Sequence, residues 1–300
     1  MPGYTRRETL KYLFAAGLAL KLPLPGLALA REAMPTRPIP ATGEALPVIG
    51  LGNSRAFRSG DYATSRTIVR ILVEHGGRVI DTLGRSTEVL GRIMEAEGLR
   101  DKLFLGTNIE TGDRDSHLEQ VNRSRELQGK DALDLLFVTT LEGINTQWPL
   151  LREWKEKGYT RYIGVALIGR ENFPALEVLM ETGTMDFIQV NYSMLEPEAD
   201  DRILPLAQER GIAVINNRPF INGNYFKLVK DKRLPDWAAD FDCDSWAQFS
   251  LKWILANPAV NCVLTETANP EHARDNLSAA YGRLPDEQQR KRMAALIRSL

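Results

Sequence analysis

Short apolar segments alternate with amphipathic segments along most of the chain, and this alternation limits the fold more than any other feature of the sequence. Each apolar segment is brief and rich in β-branched or aromatic residues, which is typical of strands buried on both faces of a parallel sheet. We predict strands at residues 46–50, 78–81, 103–107, 133–139, 162–165, 187–191, 213–216 and 262–264. We predict helices at residues 62–74, 88–97, 116–127, 148–157, 172–181, 200–209, 246–256 and 270–280.

The number of repeating units decides between two parallel architectures. Eight strand–helix units without a Pro/Gly/Ser-rich linker fit one closed (β/α)8 barrel better than a doubly wound sheet. A chain of 300 residues could also hold two domains by length alone. We therefore predict an α/β fold, a (β/α)8 TIM barrel, as a single domain over residues 46–300. An extended lead-in that contains several prolines is expected at residues 31–45.

Composition excludes several classes of protein. The 38 Lys and Arg against 39 Asp and Glu give a net charge of -1, so we expect no nucleic-acid partner. Cys243 and Cys262 have no metal or redox spacing; two buried free thiols are favoured, and a single disulfide is the alternative. Because His75, His117 and His272 all fall on predicted helices or their ends, we expect no metal site.

The first thirty residues resemble a twin-arginine export signal. Arg6 and Arg7 precede an apolar stretch that begins at residue 12 and continues, past one lysine, to Ala30. The motif Ala28-Leu-Ala30 has the pattern of a signal-peptidase site, and two prolines argue against a membrane-spanning helix. We expect a signal peptide over residues 1–30, the export machinery as a partner, a periplasmic or exported mature protein, and no integral membrane segment. The alternative is an amphipathic helix with an incidental arginine pair.

In a barrel of this kind the chemistry lies at the carboxyl ends of the strands, so the polar residues at those ends are candidates. Asp81 ends an otherwise apolar strand, where a desolvated carboxylate has to be paired or has a shifted pKa. The alternative is a structural acid bonded to backbone amides. Arg218 could hold a carboxylate or a developing oxyanion, or it is an exposed loop arginine.

Motifs at these strand ends carry a family resemblance. They are Leu46-Pro-Val-Ile-Gly-Leu-Gly52, Val79-Ile-Asp-Thr82, Glu88-Val-Leu-Gly91, Gly164-Val165, Phe187-Ile-Gln-Val-Asn-Tyr-Ser193, Asn217-Arg-Pro-Phe220, Asn269-Pro-Glu-His272 and Asp275-Asn276. In this order they resemble the aldo/keto reductase superfamily over almost the whole length after residue 30, and residues 203–220 resemble a branch with exported members. The resemblance implies a (β/α)8 barrel that reduces carbonyls with NADPH through an Asp, Tyr, Lys and His tetrad.

The resemblance also implies that this tetrad is degenerate. Asp81 matches the family aspartate, but the shortened segment from Asp81 to Ser86 contains no tyrosine. The family lysine falls at Asn108 and the family histidine at Thr139. Loss of a positioned proton donor typically lowers a rate by about two to four orders of magnitude. The usual reductase mechanism is therefore not expected.

The cofactor groove departs from the family pattern as well. Ala166-Leu167 replaces a Ser-Asn pair, and the usual stacking aromatic is absent from Asn216-Asn217-Arg218. Glu266 would place a carboxylate beside phosphate oxygens, at a cost of about 1–4 kcal/mol for like charges near contact. Gln189 and Asn276 do match family positions. We expect no cofactor, and NADP(H) is the cofactor that the resemblance allows.

The first of three functional hypotheses is cofactor-independent chemistry of the isomerase or lyase type on a small polar substrate. Asp81 would be the general base, and Arg218 or Arg85 would stabilise an oxyanion. The residues predicted to bind substrate are Asn108, Thr139, Gln189, Tyr192 and Asn217.

The other two hypotheses use the same cavity differently. The second is ligand binding without catalysis. The third is an NAD(P)H-dependent reductase of a small carbonyl compound, in which Tyr192 or Tyr225 replaces the missing proton donor. In that third case, Gln189 and Asn276 would contact the cofactor.

Overall fold

Eight parallel strands form a closed barrel in a computed structural model that describes residues 33–109 and 112–300. Around the barrel they follow chain order, and the last strand pairs with the first. An antiparallel hairpin of two strands precedes them. The strands are β1 (Thr36–Pro38), β2 (Ala45–Pro47), β3 (Ile49–Leu51), β4 (Val79–Thr82), β5 (Phe104–Ile109), β6 (Leu133–Val138), β7 (Thr160–Ala166), β8 (Phe187–Asn191), β9 (Ala213–Asn217) and β10 (Cys262–Thr265).

Helices follow the barrel strands, as in the predicted (β/α)8 barrel, and the structure confirms that fold. They are α1 (Arg55–Ser59), α2 (Tyr62–Glu74), α3 (Arg85–Glu97), α4 (Arg114–Gln128), α5 (Ile144–Glu156), α6 (Phe173–Glu181), α7 (Ile203–Arg210), α8 (Asn224–Leu228), α9 (Trp246–Leu255), α10 (Pro270–Ser278) and α11 (Glu287–Ser299). Most predicted boundaries differ from these by a few residues. The predicted signal peptide at residues 1–30 lies outside the described part of the chain.

The strand predicted at residues 46–50 is wrong, because the structure divides that segment between β2 and β3. The division occurs at Val48, where the chain changes hydrogen-bonding partners. Its amide donates to the carbonyl of Pro35 over 3.0 Å, while its carbonyl accepts from the amide of Val263 over 2.9 Å. The chain therefore leaves the hairpin and enters the barrel within two residues.

The predicted lead-in is a hairpin that packs against the barrel interior. Ile39 and Leu46 are fully buried in a cluster with interior side chains such as Phe104 and Phe187. Burial of apolar surface of this kind is the main stabilising contribution to folding. Glu44 extends the contact, since its carboxylate accepts from the Tyr162 hydroxyl over 2.9 Å. The hairpin is thus part of the folded barrel.

Arg37 joins this hairpin to the end of α9. Its guanidinium donates to the carbonyls of Leu255, Asn257 and Val260, where the helix ends and leaves backbone acceptors without intrahelical partners. These are charge-assisted hydrogen bonds to carbonyls that have few other donors.

Replacement of Arg37 by alanine is expected to lower the free energy of unfolding by about 2–3 kcal/mol, because it leaves these carbonyls without their charged donor. Urea unfolding followed by circular dichroism measures the loss. Arg233→Ala is the matched control, since the Arg233 side chain is 85% exposed and should contribute less than about 0.5 kcal/mol. Equal stability of Arg37→Ala and this control would contradict the assignment.

Cys243 and Cys262 are both buried free thiols, so the disulfide alternative does not apply. Burial raises the pKa of both thiols well above the usual range. Within residues 33–109 and 112–300, no helix combines the length and the hydropathy that crossing a bilayer requires.

Candidate active site

A cavity of about 280 Å³ opens at the carboxyl ends of the barrel strands. The structure brings together five of the predicted site residues in its wall, namely Asp81, Asn108, Thr139, Gln189 and Asn217. They come from β4, β5, β8 and β9 and from the residue after β6. Loop residues that the strand pattern did not indicate complete the wall, among them Leu141, Ile168 and Asn172.

Asp81 is held at the end of β4 by two side-chain amides. The Nδ2 atom of Asn108 donates to Oδ1 of Asp81 over 2.9 Å and to the carbonyl of Thr82 over 3.2 Å. The side chain of Gln189 is also hydrogen-bonded to Asp81. These bonds fix the carboxylate in position and leave it adjacent to the cavity.

The pKa of Asp81 is raised to about 7. Burial of the carboxylate is the main cause, because it disfavours the charged form, and it outweighs the hydrogen bonds from Asn108 and Gln189. The negative charge of Glu266 adds a smaller increase. A carboxyl group with a pKa near neutrality can both accept and return a proton at physiological pH.

Three amide oxygens in the cavity wall have no hydrogen-bond partner within the described residues. They are Oδ1 of Asn108, Oε1 of Gln189 and Oδ1 of Asn217, and all three atoms are buried. Most buried polar groups in proteins are hydrogen-bonded, so three such oxygens in one cavity are unusual.

The two arginines predicted to stabilise an oxyanion do not line this cavity. Arg218 follows β9 with a φ of 52°, in the left-handed region, as do Ile221 (49°) and Asn222 (52°) in the same loop. Its Nε atom is buried and has no partner among residues 33–109 and 112–300. Arg85 is an exposed residue at the start of α3.

Tyr192 lies away from the cavity, between the barrel and its helices. Its hydroxyl donates to Oδ2 of Asp200 over 2.6 Å and accepts from the guanidinium of Arg290, and its ring centroid lies 5.0 Å from that of Trp253. Burial raises its pKa well above the usual range. The hydroxyl of Tyr225 donates to the carbonyl of Trp246 over 3.0 Å. Neither phenol contacts the cavity beside Asp81.

A second cavity, of about 480 Å³, contains the predicted cofactor residue Asn276. Its wall is mainly apolar and includes Phe220 and Trp246. At its edge, Oε2 of Glu266 lies 3.6 Å from Nη1 of Arg58, and both side chains are about half exposed. Among the described residues, no group of three or more His, Cys, Asp or Glu side chains could hold a metal ion.

The first turn of α10 contributes His272 to the wall of this second cavity. The side chain of Asn269 caps this helix by accepting from the amide of Glu271 over 2.9 Å. Glu271 itself adds a carboxylate to the first turn. Arg274 lies 3.6 Å from the carboxylate of Glu74 and 3.9 Å from that of Glu271, so this arginine is already paired.

Comparison with known proteins gives consistent matches. The Aldo/keto reductase family profile matches residues 48–297. The aldo-keto reductase YhdN of Bacillus subtilis (strain 168) is 25% identical over 196 residues, which are 58% of this chain and 58% of that protein. The protein REDOX 2 of Catharanthus roseus is 24% identical over 268 residues, which are 79% of this chain and 81% of that protein. The matched part thus spans little more than half of the first of these relatives.

Solved structures match over more of the chain. The holo form of an aldo-keto reductase from Bacillus halodurans has a TM-score of 0.72 and 20% identity, covering 88% of this chain and 96% of that one. An aldo/keto reductase from Klebsiella pneumoniae in complex with NADP and acetate has a TM-score of 0.71 and 21% identity, covering 88% and 95%. At these identities the similarity concerns the fold.

The family profile covers nearly all of the described barrel, from the residue before β3 to the last turns of α11. The parallel closed barrel and its cavity at the carboxyl ends of the strands agree with that match. The chain belongs to the aldo/keto reductase family.

Proposed function

We propose that this chain catalyses proton transfer at a carbon next to a carbonyl, in an isomerase or lyase type of reaction that needs no nicotinamide cofactor. The observation that carries the proposal is the position of Asp81. Its carboxylate lies in the wall of the 280 Å³ cavity, is held by Asn108 and Gln189, and has a pKa of about 7. Such a group is suited to act as a general base and then as a general acid.

The proposed reaction uses residues that already line the cavity. Asp81 takes a proton from the carbon next to the substrate carbonyl, so that a C–H bond breaks and an O–H bond forms on the carboxyl group. The electron pair moves toward the carbonyl oxygen, and the hydroxyl of Thr139 donates to the oxygen as it becomes negative. For an α-hydroxycarbonyl substrate, the proton of the neighbouring hydroxyl then passes to the enolate oxygen, and Asp81 returns its proton to the former carbonyl carbon, so that the carbonyl and the hydroxyl exchange places. Because Arg218 and Arg85 do not line the cavity, they have no part in this scheme.

The departures from the family tetrad support a mechanism of this kind. Asn108 contacts Asp81 where the family would place a lysine, and Thr139 lines the cavity where the family would place a histidine. Within the described residues, no tyrosine is part of the cavity wall. The arrangement offers one group that titrates near neutral pH and several neutral groups that orient a ligand.

NADP(H), which the family and the Klebsiella complex suggest, does not fit the charged residues between the second cavity and the amino terminus of α10. Glu266 lines this cavity, and Glu271 adds a carboxylate to the first turn of α10 beside it. The nearby cations Arg58 and Arg274 already pair with carboxylates. A phosphate at this position would meet like charge and a helix terminus that Asn269 already caps.

A nicotinamide-dependent reductase is the second candidate, and one observation favours it. The apolar cavity that contains Asn276 adjoins Glu266, a neighbour of Asp81, and could accept a planar ring. Calorimetric titration of NADPH, NADP⁺ and NADH into the chain separates the two candidates. We expect no binding in the micromolar range. Micromolar binding together with NADPH oxidation by small aldehydes would favour the reductase instead.

The direct test of the proposed function is exchange of carbon-bound hydrogen for deuterium in heavy water. Dihydroxyacetone, hydroxyacetone, glyceraldehyde and aminoacetone serve as probes, and proton NMR measures loss of the signal next to the carbonyl. We expect exchange faster than in buffer for at least one probe, without added cofactor. The absence of exchange for all of them, at millimolar concentrations, would contradict the proposal.

We also propose that residues 1–30 direct export through the twin-arginine machinery and that the mature chain is periplasmic or exported. The paired arginines and the Ala28-Leu-Ala30 motif support this proposal. Amino-terminal sequencing of the protein from a periplasmic fraction should start at Arg31. Recovery of the intact chain from the cytoplasm only would contradict it.

A further inference from the structure

The side-chain amides around Asp81 have orientations that the protein itself enforces. Nδ2 of Asn108 donates to the Asp81 carboxylate and to the carbonyl of Thr82, and Nδ2 of Asn217 donates to the carbonyl of Leu167 over 3.2 Å. Gln189 bonds the same Asp81 carboxylate. Ionised carboxylates and backbone carbonyls only accept hydrogen bonds, so each amide must turn its NH2 group toward them. Rotating any of the three would bring two acceptors together.

This constraint makes the cavity a site of hydrogen-bond acceptors. With the three NH2 groups committed to the protein, the amide oxygens of Asn108, Gln189 and Asn217 remain, and all three are among the buried atoms that have no hydrogen-bond partner in the described part of the chain. A buried acceptor without a donor is unfavourable. A ligand that supplies donors offsets this cost at each of these oxygens that it reaches, whereas a ligand that supplies acceptors does not.

The charge of the cavity wall also favours a ligand with hydrogen-bond donors, and in particular a cation. Asp81 is the only ionisable side chain among the described residues that line it, and no lysine, arginine or histidine is among them. An anionic ligand would find no cation to pair with there. An ammonium group has three N–H donors, no acceptor and a positive charge, so it complements both the oxygens and the carboxylate.

We propose that the cavity beside Asp81 binds the ammonium group of a small organic cation, so that the substrate is a carbonyl compound bearing a primary amine. The claim that this molecule is a substrate rests on the proposed function, whereas the claim that it binds here does not. The surfaces that carry the inference are the amide oxygens of Asn108, Gln189 and Asn217 and the carboxylate of Asp81.

The test compares three probes with one carbon skeleton and different charge. They are the trans isomers of aminocyclohexanol, cyclohexanediol and hydroxycyclohexanecarboxylate, titrated into the full chain by calorimetry at pH above the pKa of Asp81. The cation should bind at least about tenfold more tightly than the diol, and the anion most weakly, because a hydrogen bond to a charged group is the stronger kind. Equal affinity for cation and diol, or tightest binding of the anion, would overturn the proposal.

Two variants test whether the tighter binding of the cation depends on Asp81 and Asn217. Asp81→Asn keeps the shape and removes the charge, so the ratio of cation to diol affinity should fall by about tenfold. Asn217→Ala removes one acceptor and should weaken the cation more than the diol. Asp101→Asn and Asn122→Ala change exposed residues outside the cavity and should leave the ratio unchanged. A general loss of folding would weaken the binding of all probes together, so the ratio of cation to diol affinity remains informative. An unchanged ratio in Asp81→Asn would refute the ammonium site.

The binding experiment and the exchange experiment can contradict their two proposals separately. Deuterium exchange without selective binding of the cation would leave the proposed function standing and overturn the ammonium site. Selective binding without exchange of any probe, including aminoacetone, would retain the ammonium site and overturn the proposed function.

Discussion

Asp81→Asn is expected to slow the cofactor-independent exchange of carbon-bound hydrogen by about two to four orders of magnitude. The amide has the size of the carboxylate but cannot accept a proton from carbon. The bond from Asn108 is kept, because an asparagine oxygen at the position of Oδ1 can still accept from Nδ2 of Asn108. Proton NMR in heavy water, with the probe that exchanges fastest in the wild-type chain, measures the effect.

The pH dependence of that rate identifies the group responsible. A general base is active when deprotonated, so the wild-type rate should rise with pH and level off above about 7, where Asp81 is ionised. The residual rate of Asp81→Asn should lack this inflection. Asp101→Asn, which removes an exposed carboxylate, is the matched control and should keep both the rate and the profile. A variant at Asp81 that retains wild-type exchange would remove this residue from the mechanism.

The second large effect is on stability: Asp81→Asn should slow the reaction but make the fold more stable at neutral pH. An acid whose pKa is higher in the native than in the unfolded state binds more protons when folded, so its contribution to stability falls as pH rises between the two values. For Asp81 that window extends from about 4 in the unfolded chain to about 7 in the fold. Below this window the carboxyl group is protonated in both states, so its ionisation does not change the free energy of unfolding. Above it, the buried charge destabilises the native state by a constant amount.

Asp81→Asn cannot ionise and therefore avoids this cost. Relative to the wild-type chain, the variant should gain about 3 kcal/mol in free energy of unfolding between about pH 5 and about pH 8. Urea unfolding of both proteins at the two pH values gives this double difference, in which pH effects of all other groups cancel. The same comparison for Asp101→Asn should give a difference near zero. A gain below about 1 kcal/mol would show that the Asp81 carboxylate is solvated in the fold.

The barrel was predictable because its strands are short, apolar and buried on both faces, and helices separate them regularly. The hairpin was not, since β1 and β2 contain three residues each, and Pro35, Pro38 and Pro40 suggested an extended segment. Helix α11 was also missed. Asp286 followed by Gln289 forms a capping box, and this pattern is a signal from which the start of that helix could have been predicted.

The cavity residues followed from their positions at strand ends, but the orientation of their neighbours did not. Side chains alternate along a strand, so Gln189 faces the cavity while Tyr192, three residues later, faces the helices. Counting that alternation would have removed Tyr192 from the predicted site. Arg218 follows Asn217 in a left-handed conformation that no local pattern indicates. Asn172 ends a short 3-10 helix before α6, and its place in the cavity wall depends on the assembled barrel.

The hairpin that Arg37 attaches to α9 also limits how far the amino terminus can be shortened. The proposed cleavage after Ala30 would keep the hairpin intact, because β1 begins at Thr36. Trimming only a few residues further would detach Arg37 from the carbonyls of Leu255, Asn257 and Val260 and expose Ile39 to solvent. The hairpin thereby sets the limit to which the chain can be shortened from its amino terminus without loss of these contacts.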